Sequence, residues 1–430
     1  MSTPFRRKAL IIGYGIAGPV AAMFFKRAGI DTVIYEAQDT YQDHPGMFMG
    51  LGPNGVNILK TLGVDAAILK YGFPTTGTSF YNSSGKLLGE IKTHPEIEGE
   101  DESNIIIKLS ALQTALFDAM LDYDVPVEFG KRLIGIKATK YKTVIATFAD
   151  GTEDEGDILV GCEGIHSRTR QIMLPHGPKP SYTGTMECGG VSFNPAVYPT
   201  ATMNIIYGKQ AYFGYFATPS GDIYWFSNFS QAKEPSKAEL RAMSQNELRK
   251  KLLDLYRNDV PYLGEIIKTT KGEIGKFPLY ELPVVPKWHK GPLCIAGDAT
   301  HAVSPHVGHG ASLAMEDAIV LAKCLRDIPD VESAFEMYEK LRKQRTQKIV
   351  SLAQHLSKSK TTSNPLAAWY RDISLPSYLE RSAELMDWIY SYQVNWDEEV
   401  VARPSRYGKM FKAASRTMKH PLRTGARRPI

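Results

Sequence analysis

Gly13, Gly15 and Gly18 are spaced G-x-G-x-x-G, between an apolar run at residues 8–12 and a helical stretch at residues 16–28. Each glycine has a separate physical job. Gly13 permits the tight turn, Gly15 lets the backbone come close to a pyrophosphate, and Gly18 lets helix and strand pack closely. The helix start, with Ile16 and Ala17 in its first turn, offers free N–H groups and a partial positive charge to phosphates. Pro19 lies near that start, where its missing N–H costs nothing. A second apolar strand at residues 30–35 leads to Glu36 and Ala37. An acid there accepts hydrogen bonds from ribose hydroxyls. This βαβ unit reads as a dinucleotide site and leaves NAD and FAD open.

A second segment, residues 291–325, runs strand, loop, helix. Asp298 follows a buried strand, where its carboxylate can reach a polyol hydroxyl. Pro305, Gly308 and Gly310 lead into a helix starting near Ala311 and Ser312. The two glycines let backbone approach a flat ring, and the helix start points N–H groups at it. Glu316 and Asp317 are expected to be solvated acids complementing the helix dipole. The segment resembles the GD-containing motif of the group A flavoprotein monooxygenases, the para-hydroxybenzoate hydroxylase-like family. Gly297, Asp298, Ala299, His301, Pro305, Gly308, Gly310, Ala314, Glu316, Asp317 and Ala318 carry the likeness. Residues 46–54, which include Gly50, and residues 157–170 are similar to two further motifs of that family.

The resemblance implies FAD as cofactor, with Asp298 toward the ribityl chain and the 308–312 helix start against the flavin. It also implies NAD(P)H as reductant, O2 as oxidant and a flavin C4a-hydroperoxide as the hydroxylating species. The cofactor carries that chemistry, so no side chain is assigned as catalytic. Three departures stand out. Glu163 replaces the family's aspartate, Leu109 stands where an arginine is usual, with Lys108 beside it, and His309 replaces a common glutamine.

These motifs need a frame. The expected fold is α/β: a Rossmann-like FAD-binding domain, an inserted antiparallel-sheet substrate domain and a C-terminal helical region. The FAD-binding parts are placed at residues 1–75, 105–180 and 286–330. A substrate-domain hairpin is placed at 76–104, the substrate sheet at 181–285, the helical region at 331–402 and a basic tail at 403–430. The alternating aromatics of the sheet supply candidate substrate contacts at Tyr212, Tyr215 and Trp225. One helix is expected over residues 236–258.

Composition excludes several classes. Hydrophobic residues make up 43% and charged residues 23% of 430, which is ordinary for a globular protein. No run approaches the ~18–20 apolar residues of a membrane span, and no signal peptide is expected. Net charge is +5. Nine Lys and Arg with no acid crowd residues 403–430; such a tail could touch nucleic acid or an anionic membrane, but a solvated tail is the expectation. The four scattered cysteines fit free thiols in the cytoplasm rather than zinc. No metal site is expected from His301, His306 and His309. The expected partners are an aromatic or polycyclic small molecule and O2, with the chain a monomer or homodimer. An FAD-dependent reductase or dehydrogenase, and a flavin-binding partner without turnover, are the alternatives.

Overall fold

A computed structural model describes residues 6–40, 47–92, 104–194, 199–303, 308–358 and 365–400. Pro305, His306 and the basic tail therefore lie outside the described residues. Residues up to Trp396 form one unit.

Strand Lys8–Ile12 is the heart of a six-stranded sheet. It pairs in parallel with Asp31–Tyr35 on one side and Ile158–Gly161 on the other. Beyond these lie Val127–Glu128 at one edge, and Leu293–Ile295 followed by His289–Lys290 at the other. The central strands are buried on both faces, so they read as unbroken apolar runs. Helix Ala17–Arg27 follows the glycine turn and stops at Gly29, whose φ of 76° suits a left-handed helix end. It packs against helix Gly310–Asp327, which is buried along nearly its whole length.

The second large sheet has seven strands, in the order Thr270–Glu281, Ser181–Phe193, Asp222–Ser230, Ala211–Ala217, Thr202–Tyr207, Gly77–Asn82 and Leu87–Lys92. It is not wholly antiparallel as expected. Thr202–Tyr207 pairs in parallel with Gly77–Asn82. The early hairpin enters the sheet after a long excursion of chain, and such a connection permits parallel pairing.

The aromatic alternation sorts onto two faces, because successive side chains point to opposite sides of a strand. Phe213, Tyr215 and Trp225 share one face, buried under helices Gln245–Tyr256 and Pro261–Lys268. There the Phe213 and Trp225 rings stack 5.5 Å apart, and Trp225 Nε1 donates to Thr270 Oγ1 at 3.1 Å. Tyr207, Tyr212 and Phe226 take the other face, covered by Leu375 and Leu379 of helix Pro365–Tyr390. Tyr215 and Trp225 are thus core residues, not substrate contacts. Trp225→Ala should cost about 3–5 kcal/mol in denaturant unfolding. It should leave the flavin spectral response to ligand unchanged in whatever protein folds.

The helix expected over residues 236–258 is two helices, Lys237–Ala242 and Gln245–Tyr256. Each begins with its own capping box, Ser236 with Glu239 and Ser244 with Glu247. The second box starts a new helix because Ser244 Oγ accepts the Glu247 N–H while Glu247 accepts the Ser244 N–H.

Candidate functional site: a cavity between the two sheets

A cavity of about 730 Å³ is walled on one side by the glycine turn and on the other by the seven-stranded sheet. Gly13, Gly15, Ile16, Ala17 and Glu36 line the first side. Gly50, Asp298, Gly308, Gly310 and Ala311 line it further along. Phe80, Tyr212 and Phe226 form the sheet side. Of the residues expected to hold cofactor, Gly18, Ala37 and Ser312 are not in the lining.

The glycine turn shows why each position lacks a side chain. Gly13 has φ 106°, and a Cβ there would sit 2.6 Å from the Cys162 carbonyl oxygen. At Gly18 it would lie 2.1 Å from the Gly13 carbonyl oxygen. Gly18 therefore serves the turn from behind. A Cβ at Gly15 would meet nothing within 4 Å. Its space opens into the cavity, so the protein reserves it for something else. The Tyr14 N–H donates to Glu36 Oε2 and the Gln38 N–H to Glu36 Oε1, both at 2.9 Å. No acid stands in the first turn of helix Ala17–Arg27, and no side chain caps it. Its amide dipoles are left for an anion.

Helix Gly310–Asp327 repeats this device, with an uncapped start and no acid in its first turn. Gly308 takes φ 64° ahead of it. Ser312 lies behind the cavity wall. Its Oγ accepts the Gly52 N–H at 3.2 Å and locks helix Pro53–Thr61 against the loop. Asp298 is exposed onto the cavity, and desolvation by the protein around it raises its carboxyl above the usual range.

Glu316 and Asp317 are fully buried, not solvated. They lie in a helix buried on every side from Ser312 to Leu325, so no face of it could present them to water. Arg342 pairs with both, at 2.6 Å to Glu316 and 2.7 Å to Asp317. Arg345 forks onto Glu316 at 2.8 and 2.9 Å and also donates to the Ile389 carbonyl. Glu316 accepts from Asn54 Nδ2 at 2.6 Å. Asp317 accepts the Gly297 N–H at 2.9 Å and meets His301 Nε2 at 2.5 Å. Burial pushes both acids up, yet the nearby charges win. His301 and Arg342 bring Asp317 to about 2, and Arg342 and Arg345 lower Glu316. The network positions Gly297 and hence Asp298. It also ties the flavin-loop helix to the end of helix Pro365–Tyr390.

The three departures resolve locally. Glu163 turns onto helix Arg168–Met173, accepting the Arg168 and Thr169 N–H groups at 3.0 and 3.1 Å and the Ser167 hydroxyl at 2.7 Å. The longer side chain becomes a helix cap at the cavity edge. Leu109 lines the cavity, while Lys108 turns away, its Nζ 5.4 Å over the Tyr224 ring. Gln113, one helical turn after Leu109, also lines the cavity. Its buried amide oxygen has no partner among the described residues. His309 is buried edge-on to Tyr390 at 5.0 Å. Burial first, then the Arg345 charge, lowers it to about 4, so it is neutral at pH 7. Its depressed value makes stability rise with pH from about 4 to 6.5, the span in which only the unfolded chain binds the proton.

Sequence reasoning missed the network, Gln113 and the wall contributed by helix Pro365–Tyr390. Leu375, Leu379, Ser382 and Met386 of that helix line the cavity at helical spacing. That stripe was the available signal.

The reserved space at Gly15, the two uncapped helix starts and Asp298 suit a phosphate-linked dinucleotide with a polyol chain and a flat ring. Fold and cavity together define a Rossmann-type dinucleotide-binding protein. A family model described as FAD binding domain matches residues 6–353. The chain is 27% identical over 372 residues to 6-hydroxynicotinate 3-monooxygenase of Pseudomonas fluorescens, covering 83% of this chain and 92% of that one. It is 28% identical over 373 residues to an FAD-dependent urate hydroxylase of Mycolicibacterium vanbaalenii, covering 85% and 92%. In fold it matches Klebsiella pneumoniae HpxO, solved with FAD and uric acid, at TM-score 0.79 and 23% identity over 91% of this chain and 98% of that one. The chain belongs to the FAD-binding-domain family of para-hydroxybenzoate hydroxylase-like group A flavoproteins and is an FAD-dependent oxidoreductase.

Proposed function

We propose that the protein is a monooxygenase that hydroxylates an aromatic or heterocyclic small molecule with NAD(P)H and O2. The observation that carries this reading is one continuous cavity that joins the dinucleotide turn to an aromatic-rich sheet. The relatives named as a hydroxynicotinate monooxygenase and a urate hydroxylase support it.

Bound FAD would supply the electron transfer and oxygen activation. Gly13, Gly15, Ile16 and Ala17 would receive the pyrophosphate and Glu36 the ribose. Gln113, with its amide turned to present N–H, would meet the phosphates where the usual arginine is missing. Asp298 would hold the polyol chain. Gly308, Gly310 and Ala311 would present backbone N–H groups to the ring edge, where negative charge is stabilised. The helix Pro365–Tyr390 would exclude water from the ring's substrate side. Buried, unpaired cysteines support a cytoplasmic setting.

The test is NAD(P)H oxidation followed in an oxygen electrode. A substrate aromatic should accelerate NAD(P)H and O2 consumption together. Oxidation of the aromatic itself without O2 or NAD(P)H, with a redox dye accepting its electrons, would mark a dehydrogenase instead.

A further inference from the structure

Helix Pro365–Tyr390 changes character along its outer face. Its inner face puts Leu375, Leu379, Ser382 and Met386 into the cavity wall. At about 3.6 residues per turn, Leu366, Trp369, Tyr370 and Ile373 fall together on the opposite face. They are 77%, 63%, 67% and 57% exposed. Further along, the same face carries Ser377, Glu380, Arg381 and Glu384, all exposed. That second half is what a solvated helix face should look like. The first half sets large apolar side chains in a row, and the row gives way to polar groups after Pro376. Apolar residues exposed singly are ordinary, whereas a contiguous row marks a contact surface.

The side chains of the row and the charge in its sequence neighbourhood favour one occupant. Trp and Tyr, with an apolar body and a polar edge, settle at the boundary between lipid and water. The sequence from Lys340 to Arg371 contains no acid, and Lys358 and Lys360 stand just before the helix. Residues 403–430 add nine Lys and Arg and again no acid. Cations accompanying an apolar helix face attract a protein to anionic lipid. The row covers about 12 Å of helix at ~1.5 Å per residue, far short of the ~20 residues that cross a bilayer. Among the described residues, no helix is long and apolar enough to cross one.

We infer that Leu366, Trp369, Tyr370 and Ile373 dock the protein on the surface of an anionic lipid bilayer. The apolar side chains enter the boundary layer, and the basic segments add attraction to the lipid headgroups. The other face of the same helix keeps its place over the cavity.

The experiment uses the full FAD-loaded chain, sedimented with vesicles of phosphatidylcholine alone or with about 30% phosphatidylglycerol, an anionic lipid. The anionic vesicles should carry the protein down, and the neutral ones should carry less. The double variant Trp369→Glu with Ile373→Glu should weaken binding about tenfold or more, with its FAD content unchanged. Tryptophan emission gives a second readout. Of the five tryptophans, Trp225, Trp288 and Trp396 are buried and Trp388 is half-buried, so Trp369 is the most exposed. Anionic vesicles should shift the emission to the blue. Trp369→Phe should abolish that shift and still bind within about threefold, because it keeps the row apolar. No binding to the anionic vesicles overturns the inference. So does binding that the double variant leaves intact, which would place the contact on the basic segments alone. Binding that appears only after residues 403–430 are removed would overturn it by showing that the chain's own end covers the row. A wild type that ignores vesicles and elutes as a dimer, split by the double variant, would give the row to a second copy and overturn it as well.

Discussion

Gly15→Val is expected to give a folded protein that no longer retains FAD. The reasoning separates two kinds of glycine. Gly13 and Gly18 are fixed by the protein itself, because a Cβ at either would strike backbone at 2.6 and 2.1 Å. Substitution there breaks the turn. At Gly15 no protein atom stands within 4 Å of the new Cβ, and its φ is not left-handed. The apoprotein should therefore melt within about 0.5 kcal/mol of the wild-type apoprotein. The added side chain fills the space where the pyrophosphate meets the helix start. FAD affinity should fall about 100-fold or more, ~2.7 kcal/mol. Fluorescence titration of apoprotein with FAD measures this, and denaturant melts of the same samples check the fold. A Gly15→Val protein that holds FAD as the wild type does would show that the cofactor lies elsewhere.

Arg342→Met should be the most damaging single change away from the cavity. Arg342 is fully buried and neutralises both Glu316 and Asp317. Removing it leaves buried carboxylates short of counter-charge, which costs about 3–5 kcal/mol. That is a large part of the ~5–15 kcal/mol that holds a typical domain together. Low soluble yield is the expected outcome. The double variant Arg342→Met with Asp317→Asn should recover part of the loss, because one stranded charge goes with it. Denaturant unfolding of the three proteins tests this. Additive losses would mean that the two residues do not act as a unit.

Acid should act on the same network. Asp317 is held at about 2 against an ordinary 3.8. A depressed carboxylate adds stability above its unfolded value and loses it as pH falls through the folded value. The loss therefore runs from about pH 4 down to about 2, on the order of 2 kcal/mol. In Asp317→Asn that part of the acid transition should disappear.

How much of this was legible beforehand varied by element. The strand–turn–helix around Gly13 was plain, because glycine spacing, a buried apolar strand and Glu36 agree locally. The buried strand before Asp298 and the helix that starts at Gly310 were equally plain. The aromatic sheet was only half legible. Period-2 alternation says that two faces exist, but only packing says which face meets a cavity. Tyr212 and Tyr215 differ by three residues and end on opposite sides. Glu316 and Asp317 look like surface acids beside a helix start. Their burial depends on Arg342 and Arg345, which arrive from a helix some 25 to 29 residues later. The wall formed by Leu375 to Met386 carries a readable stripe, but nothing local says what it covers.

The central claim is that this cavity uses FAD to put oxygen into an aromatic or heterocyclic ring. The most direct measurement is product mass after turnover of the FAD-loaded protein with NAD(P)H under ¹⁸O2, using an aromatic or heterocyclic compound that perturbs the flavin spectrum. The product should gain one ¹⁸O atom for each coupled NAD(P)H oxidised. Product carrying only oxygen from water, or an oxidised product with no added oxygen, would contradict the claim.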